Sequence, residues 1–324
     1  MSNARQYLRT GFGICLLLCL LAGLGCGNKD EADKARHRKP GSPLLVTTTT
    51  PLLADLVRQV GGDWVTIEVV LEPGANPHTF QATKLTLSKL AECDVLVFHG
   101  LGFEAGLAAD LEEVSRNTRL LDVAADIPQD RLQLLPGEEE IVDPHIWGDV
   151  TLWMLAVARV RQAFMELDPD HQGDFDLNAR NYVAKLSKLH SELSQQIGTI
   201  PTTRRMLVSG HAAFGYFGKA YGIQSHGLYG VDATTPTPAV GLQNLANLVA
   251  QRQVPAIFSE PNLTAEVCRE FQASVGRLGH TVQLGDLLFP DGPSPTDSSV
   301  TTYIDMMRTN GDRITRALTA GANR

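Results

Sequence analysis

The sequence predicts an α/β protein built as two lobes of similar size, each with a parallel sheet, joined by one long rigid α-helix. Three observations lead there. Short β-branched apolar runs alternate with helical patterns of about ten residues, as consecutive βα units do. The same alternation starts afresh after residue 200. Between the two halves, from Asp174 to Ile197, the chain has no proline and no glycine, and Tyr182, Leu186, Leu189, Leu193 and Ile197 recur at helical spacing. At about 1.5 Å per residue such a helix runs about 35 Å, long enough to span two lobes.

The elements follow in order. Leu44 to Thr49 is a buried strand, and Leu52 to Val60 a helix stopped by Gly61 and Gly62. Trp64 to Leu71 is the next strand, then a helix from Leu85 to Cys93, a strand from Asp94 to Phe98, a helix from Phe103 to Val114 and a strand from Arg119 to Val123. An irregular stretch carrying Glu138, Glu139 and Glu140 precedes a helix from Val150 to Leu167. In the second half, strands at Arg205 to Ser209, Gly222 to Leu228, Pro255 to Ser259 and Val282 to Leu284 alternate with helices after His211, from Gly241 to Gln251, from Leu263 to Leu278 and from Thr301 to Leu318. The expected layout is an N-terminal lobe over 43–168, the linking helix over 169–199 and a C-terminal lobe over 200–324.

The first 26 residues read differently. Arg5 and Arg9 precede the apolar run from Ile14 to Ala22, which closes at Gly25 and Cys26. A basic start, a short apolar run and small residues before a cut describe a secretory signal peptide. The run is shorter than the roughly 20 residues of a spanning helix. Cys26 resembles the lipid-modified cysteine of a bacterial lipoprotein, with Gly23 where such signals usually carry leucine. The expectation is an extracytoplasmic, membrane-anchored chain, or a soluble periplasmic one if Cys26 is cleaved without lipid. Residues 27–42 are polar and charged and read as a tether. Loss of the signal moves the formal charge from -8 to -10, and without a basic run nucleic acid is not an expected partner. Cys93 and Cys268, the cysteines left besides Cys26, fall in apolar patterns and are expected as buried free thiols, with a bridge between them as the alternative.

Two stretches echo each other: Asn76-Pro77-His78-Thr79-Phe80 and Asp143-Pro144-His145-Ile146-Trp147. In both, an Asx and a proline precede histidine and an aromatic follows two residues later. Proline fixes its own φ and biases the residue before it away from helix, so each histidine is expected on a stiff loop. His211 ends an apolar run, so the three histidines fall at near-even intervals, about one per structural quarter. In open α/β sheets ligands bind beyond the carboxyl ends of strands. Asp286 follows directly on the expected strand ending at Leu284. Three imidazoles and a carboxylate suit Zn²⁺, which takes four tetrahedral nitrogen, oxygen or sulfur ligands. His37, His99, His171, His190, His226 and His280 have no comparable setting and are expected to be structural or exposed. Glu260, at a strand end before Pro261, is expected as an ordinary loop carboxylate, with contact to the site from behind as the alternative.

With these motifs, the segments His211-Ala212-Ala213-Phe214-Gly215-Tyr216-Phe217 and Tyr303-Ile304-Asp305-Met306-Met307 make the chain resemble the zinc/manganese substrate-binding proteins of ABC transporters, the cluster A-I or ZnuA/TroA-like group. The resemblance covers essentially the whole mature chain. It implies two Rossmann-like lobes joined by a rigid backbone helix, with metal in the cleft held by His78, His145, His211 and Asp286. Gly285 stands where a small hydroxyl residue is common, so Asp291 is the alternative to Asp286. The stretch from Leu134 to Asp143 is acidic, where many zinc members carry a histidine-rich loop. Manganese members tend to place glutamate where this chain has His211, which points to Zn²⁺, with Mn²⁺ or iron as alternatives. The resemblance further implies an ABC permease and its ATPase as partners of a monomeric binding protein. Separately, a rigid linking helix permits only small lobe movement, so release of cargo is expected to depend on a loop rearrangement at one ligand. Because imidazole must be neutral to bind, affinity is expected to fall as pH drops through about 6.5.

Two other functions compete. A secreted zinc hydrolase would keep three protein ligands and leave the fourth position to water. The fourth protein ligand, the lack of a His-Glu-x-x-His pattern and the lack of a glutamate beside a ligand histidine argue against it, so no enzyme activity is expected. A surface adhesin with a structural metal is the other, and neighbouring genes for an ATPase and a permease would separate it from uptake.

Overall fold

The computed structural model describes residues 41–320 apart from 72–73, 136–140, 262, 264 and 295–296. The signal segment, Cys26, the tether up to residue 40 and the Glu138–Glu140 run lie outside the described residues.

The N-terminal sheet contains β1 (Leu44–Thr48), β2 (Val65–Val69), β3 (Val95–Phe98) and β4 (Arg119–Asp122), in the order β2-β1-β3-β4 and parallel throughout. β1 is central and carries the β-branched run, buried on both faces, as a covered parallel strand must be. Helix α1 (Pro51–Gly61) starts with proline in its first turn, and Thr50 Oγ1 accepts from the Leu53 amide. Helices α2 (Lys84–Ala91), α3 (Ala108–Val114) and α4 (Val150–Leu167) complete this lobe.

Helix α5 (Gln172–Gly198) is 27 residues long, about 40 Å. The stripe anticipated from Tyr182 to Ile197 is buried, and Phe175 and Ala179 extend it by a turn at each step. Its start is tied to the first lobe by Trp64 Nε1 to Asp174 Oδ2 at 2.9 Å and Asn178 Nδ2 to the Val60 carbonyl at 3.2 Å.

The second lobe contains β5 (Met206–His211), α6 (Gly215–Tyr221), β6 (Gln224–Tyr229), α7 (Ala239–Gln251), β7 (Ala256–Ile257), α8 (Ala265–Gly276), β8 (Gln283–Leu284) and α9 (Tyr303–Thr319). β5 pairs with β6 and β7 with β8, all parallel, and the Phe258 amide donating to the Val208 carbonyl at 2.9 Å joins the two pairs. The end of α5 packs on α9, where Gln196 Nε2 meets Asp312 and Arg308 meets Glu192. Gly311 permits this approach: a Cβ there would lie 2.5 Å from the Leu193 side chain.

Several boundaries differ from expectation for local reasons. Trp64 closes a 3₁₀ turn before β2 rather than opening the strand, with its ring stacked on His171. Phe103 lies in a turn before α3, its amide bonded to the Gly100 carbonyl, and its buried ring packs edge-on against those of His78 and His145. Gly222 ends α6 at φ 71°, a left-handed C-cap, so β6 begins two residues later. Cys93 and Cys268 are buried and free. No described helix is long and apolar enough to cross a membrane.

Candidate metal centre

Each Asx-Pro-His stretch folds on itself. Asn76 Oδ1 accepts from the His78 amide at 2.9 Å, and Asp143 Oδ1 accepts from the His145 amide at the same 2.9 Å. These are Asx turns, so the residue before proline, as well as proline itself, aims the histidine. Asp143 does more: the same oxygen lies 2.8 Å from His145 Nδ1, which turns Nε2 toward the cleft. His211 is the last residue of β5 and fully buried.

Behind His211 stands Glu260, itself 2% exposed, and it is not the ordinary loop carboxylate expected. Its Oε2 is 2.5 Å from His211 Nδ1, and its Oε1 accepts from the His211 amide at 3.1 Å. Gly210 makes room, since a Cβ there would sit 2.9 Å from the Glu260 carboxyl carbon. A carboxylate on Nδ1 fixes both tautomer and ring orientation, as behind the metal-binding histidines of known centres.

The fourth position corrects the expectation for Asp286. That residue is exposed on the surface and paired with Arg316 of α9 at 2.5 Å. The chain after β8 stays packed instead of turning into the cleft: the Gly285 amide bonds Ile257, the Leu288 amide bonds Ser259, and Leu288 and Phe289 are buried. The carboxylate that enters the cleft is Asp291, whose Oδ1 lies 3.3 Å from His211 Nε2 and 3.6 Å from His145 Nε2. His78, His145, His211 and Asp291 each offer one ligating atom, all within 4.8 Å of one another. The imidazole centroids are 5.3 to 5.8 Å apart, and Phe103 packs edge-on against His78. All three Nε2 atoms and both Asp291 oxygens are buried without a hydrogen-bond partner. Buried polar groups are nearly always paired, so converging orphans of this kind fit a cation held among them.

The model of the ZnuA family, described as the zinc-uptake complex component A, periplasmic, matches residues 46–317. The chain belongs to this family. Within it, the chain is 33% identical over 305 residues to the zinc-binding protein TroA of Treponema pallidum, covering 94% of this chain and 96% of that one. It is 31% identical over 311 residues to the manganese-binding lipoprotein MntA of Bacillus subtilis, covering 96% and 100%. The solved structure of periplasmic TroA from T. pallidum superposes with a TM-score of 0.81 over 86% of this chain and 99% of that one, at 33% identity.

The electrostatics of this ZnuA-family centre divide its histidines. Burial pulls His78 down to about 3, so it is neutral at any physiological pH. Burial also disfavours charge on His145, yet the Asp143 and Asp291 carboxylates outweigh it and raise that imidazole. For His211 the same balance, set by Glu260 and Asp291, lies well above the usual imidazole range. Burial works against the ionised form of Asp291, but the His211 and His145 rings beside it hold it well below the usual carboxylate range. Proton competition with a metal therefore begins above the pH of about 6.5 expected from free imidazole.

The remaining described histidines stay out of the cluster, among them His280, whose Nε2 meets the Val254 carbonyl. His99 is buried rather than exposed, its Nε2 2.8 Å from Thr50 Oγ1. Asp143 was visible in sequence only as a turn former. Glu260 carried one usable signal, its place at the end of the strand beside β5.

Proposed function

We propose that this chain is the extracytoplasmic solute-binding component of a metal ABC transporter, capturing Zn²⁺ between His78, His145, His211 and Asp291. The observation that carries this reading is the closed donor set: three imidazole Nε2 atoms and one carboxylate, buried and converging, from both lobes. Four protein ligands leave no position for a reacting water, which favours capture over hydrolysis. Imidazole is a better match for Zn²⁺ than for Mn²⁺, and the affinity order runs the same way. A manganese reading has the MntA relative in its favour, and an iron-binding protein, YfeA of Yersinia pestis, is a more distant relative at 24% identity.

On this reading Cys26 carries the anchor, residues 43–168 and 200–324 form the lobes around the linking stretch 169–199, and the loaded monomer docks on a permease served by an ATPase. Native mass spectrometry on the chain beginning at Gly27, with Zn²⁺ and Mn²⁺ present together, tests it. One zinc per chain, lost in His78→Ala or His145→Ala, is the expected result. Manganese in the same site overturns the choice of cargo, and no bound metal overturns the reading itself.

A further inference from the structure

Asp291 is the one acidic member of the cluster, and its carboxylate faces the cluster's own imidazoles, with Oδ1 3.3 Å from His211 Nε2 and 3.6 Å from His145 Nε2. Both of its carboxylate oxygens lack a hydrogen-bond partner. Its position is set by the two residues before it. The side chain of Asn310, on α9, takes both main-chain groups of Phe289: the Phe289 amide donates to Oδ1 at 2.9 Å, and Nδ2 donates to the Phe289 carbonyl at 2.8 Å. That anchor belongs to the same lobe. Pro290 has no N–H, so its carbonyl is its only main-chain polar group. The carbonyl accepts from the indole Nε1 of Trp147 at 2.6 Å, across the cleft.

Trp147 is itself over-determined. It lies two residues after His145, and its ring packs on those of His145, His99 and Phe103 at 5.1, 4.7 and 4.8 Å. Its carbonyl accepts from the Tyr303 hydroxyl at 2.7 Å, and the Tyr303 amide donates to Asp55 Oδ2 on α1 at 2.9 Å. With Trp147 1% exposed, water has little access to replace the indole donor, and losing that donor leaves a buried carbonyl unpaired.

We propose that Trp147 is a positioning residue that latches Asp291 into the cleft through Pro290, and thereby sets how long the cargo is retained. The inference rests on the metal-binding reading above. The indole joins an N-terminal-lobe ligand, His145, to the loop of a C-terminal-lobe ligand, so loosening it frees one ligand and leaves the three imidazoles in place.

The test is Trp147→Phe, which keeps an aromatic ring and removes the donor. In the zinc-loaded chain, a chelator chase by stopped flow should show dissociation about tenfold faster, as expected for one buried hydrogen bond. Zinc affinity is then measured by chelator competition in a cycle with Asp291→Asn. If Trp147 acts through Asp291, its effect shrinks to less than about twofold in the Asp291→Asn background. An equal factor in both backgrounds marks a merely structural role and overturns the proposal, as does an unchanged dissociation rate. Should the variant fail to fold, ¹H–¹⁵N spectra of the three indoles in the wild-type chain decide: a Trp147 proton exchanging freely in the zinc-loaded protein overturns the latch. A wild-type chain that binds no zinc overturns the functional reading instead, a distinct outcome.

Discussion

Glu260 grips His211 at two points, with Oε2 2.5 Å from the ring Nδ1 and Oε1 3.1 Å from the main-chain amide of the same residue. Ring and backbone are thus oriented by one buried carboxylate that never reaches the cleft. Glu260→Gln keeps the size and removes the charge. Zinc affinity should fall about 10- to 100-fold, the usual cost of losing such a partner, while the far-ultraviolet circular dichroism stays that of the wild type. Competition with a chromophoric chelator measures the change, and a variant within twofold of wild type contradicts the assignment.

The two candidate aspartates make opposite predictions. Asp291→Asn removes a buried anionic ligand and should weaken zinc binding by at least about 100-fold, beyond the cost of losing an outer partner. Asp286→Asn loses an exposed ion pair with Arg316, of a kind that contributes little to stability. Its affinity should match wild type within twofold in the same assay.

Proton release distinguishes the histidines. The carboxylates beside His145 and His211 raise both imidazoles, so in the metal-free chain they hold a proton more readily than a free imidazole, whereas burial pulls His78 down to about 3 and leaves it neutral. Binding Zn²⁺ should therefore release protons from His145 and His211 and none from His78. The sign follows: affinity rises with pH until both raised imidazoles are neutral, and is lost as pH falls. Titration calorimetry in buffers of differing ionisation enthalpy counts the protons, and zero release contradicts the direction of both shifts.

Cargo preference should hinge on the third imidazole. His211→Glu exchanges nitrogen for oxygen and should raise the Mn²⁺ to Zn²⁺ affinity ratio. It also brings a second carboxylate against Glu260, so the double variant with Glu260→Gln should bind Mn²⁺ more tightly than the single one. An unchanged ratio in both variants, read by competition, contradicts this view of selectivity.

Much of the architecture was legible in the sequence because it rests on periodicity. The stripe from Tyr182 to Ile197 is the buried face of α5, and the β-branched run at Leu44 is the central strand. The three histidines were legible for a local reason: turn and strand-end chemistry within a few residues places them. Asp291 was second choice because a strand-end rule selects the first acidic residue after β8. What overrides that rule is tertiary, the burial of Leu288 and Phe289 and the grip of Asn310, 21 residues further on. Glu260 lies 49 residues from His211, and no spacing announces such a contact.

The closing helix has a consequence for when the protein becomes competent. Tyr303 and Asn310, both on α9, are what steady Trp147 and Phe289. A chain cut before α9 keeps all four cluster residues in its sequence and loses the supports that hold Asp291 among them. Metal binding is therefore expected to depend on residues that follow Asp291 in the chain, and a copy cut before α9 is expected to compete poorly for metal with intact copies.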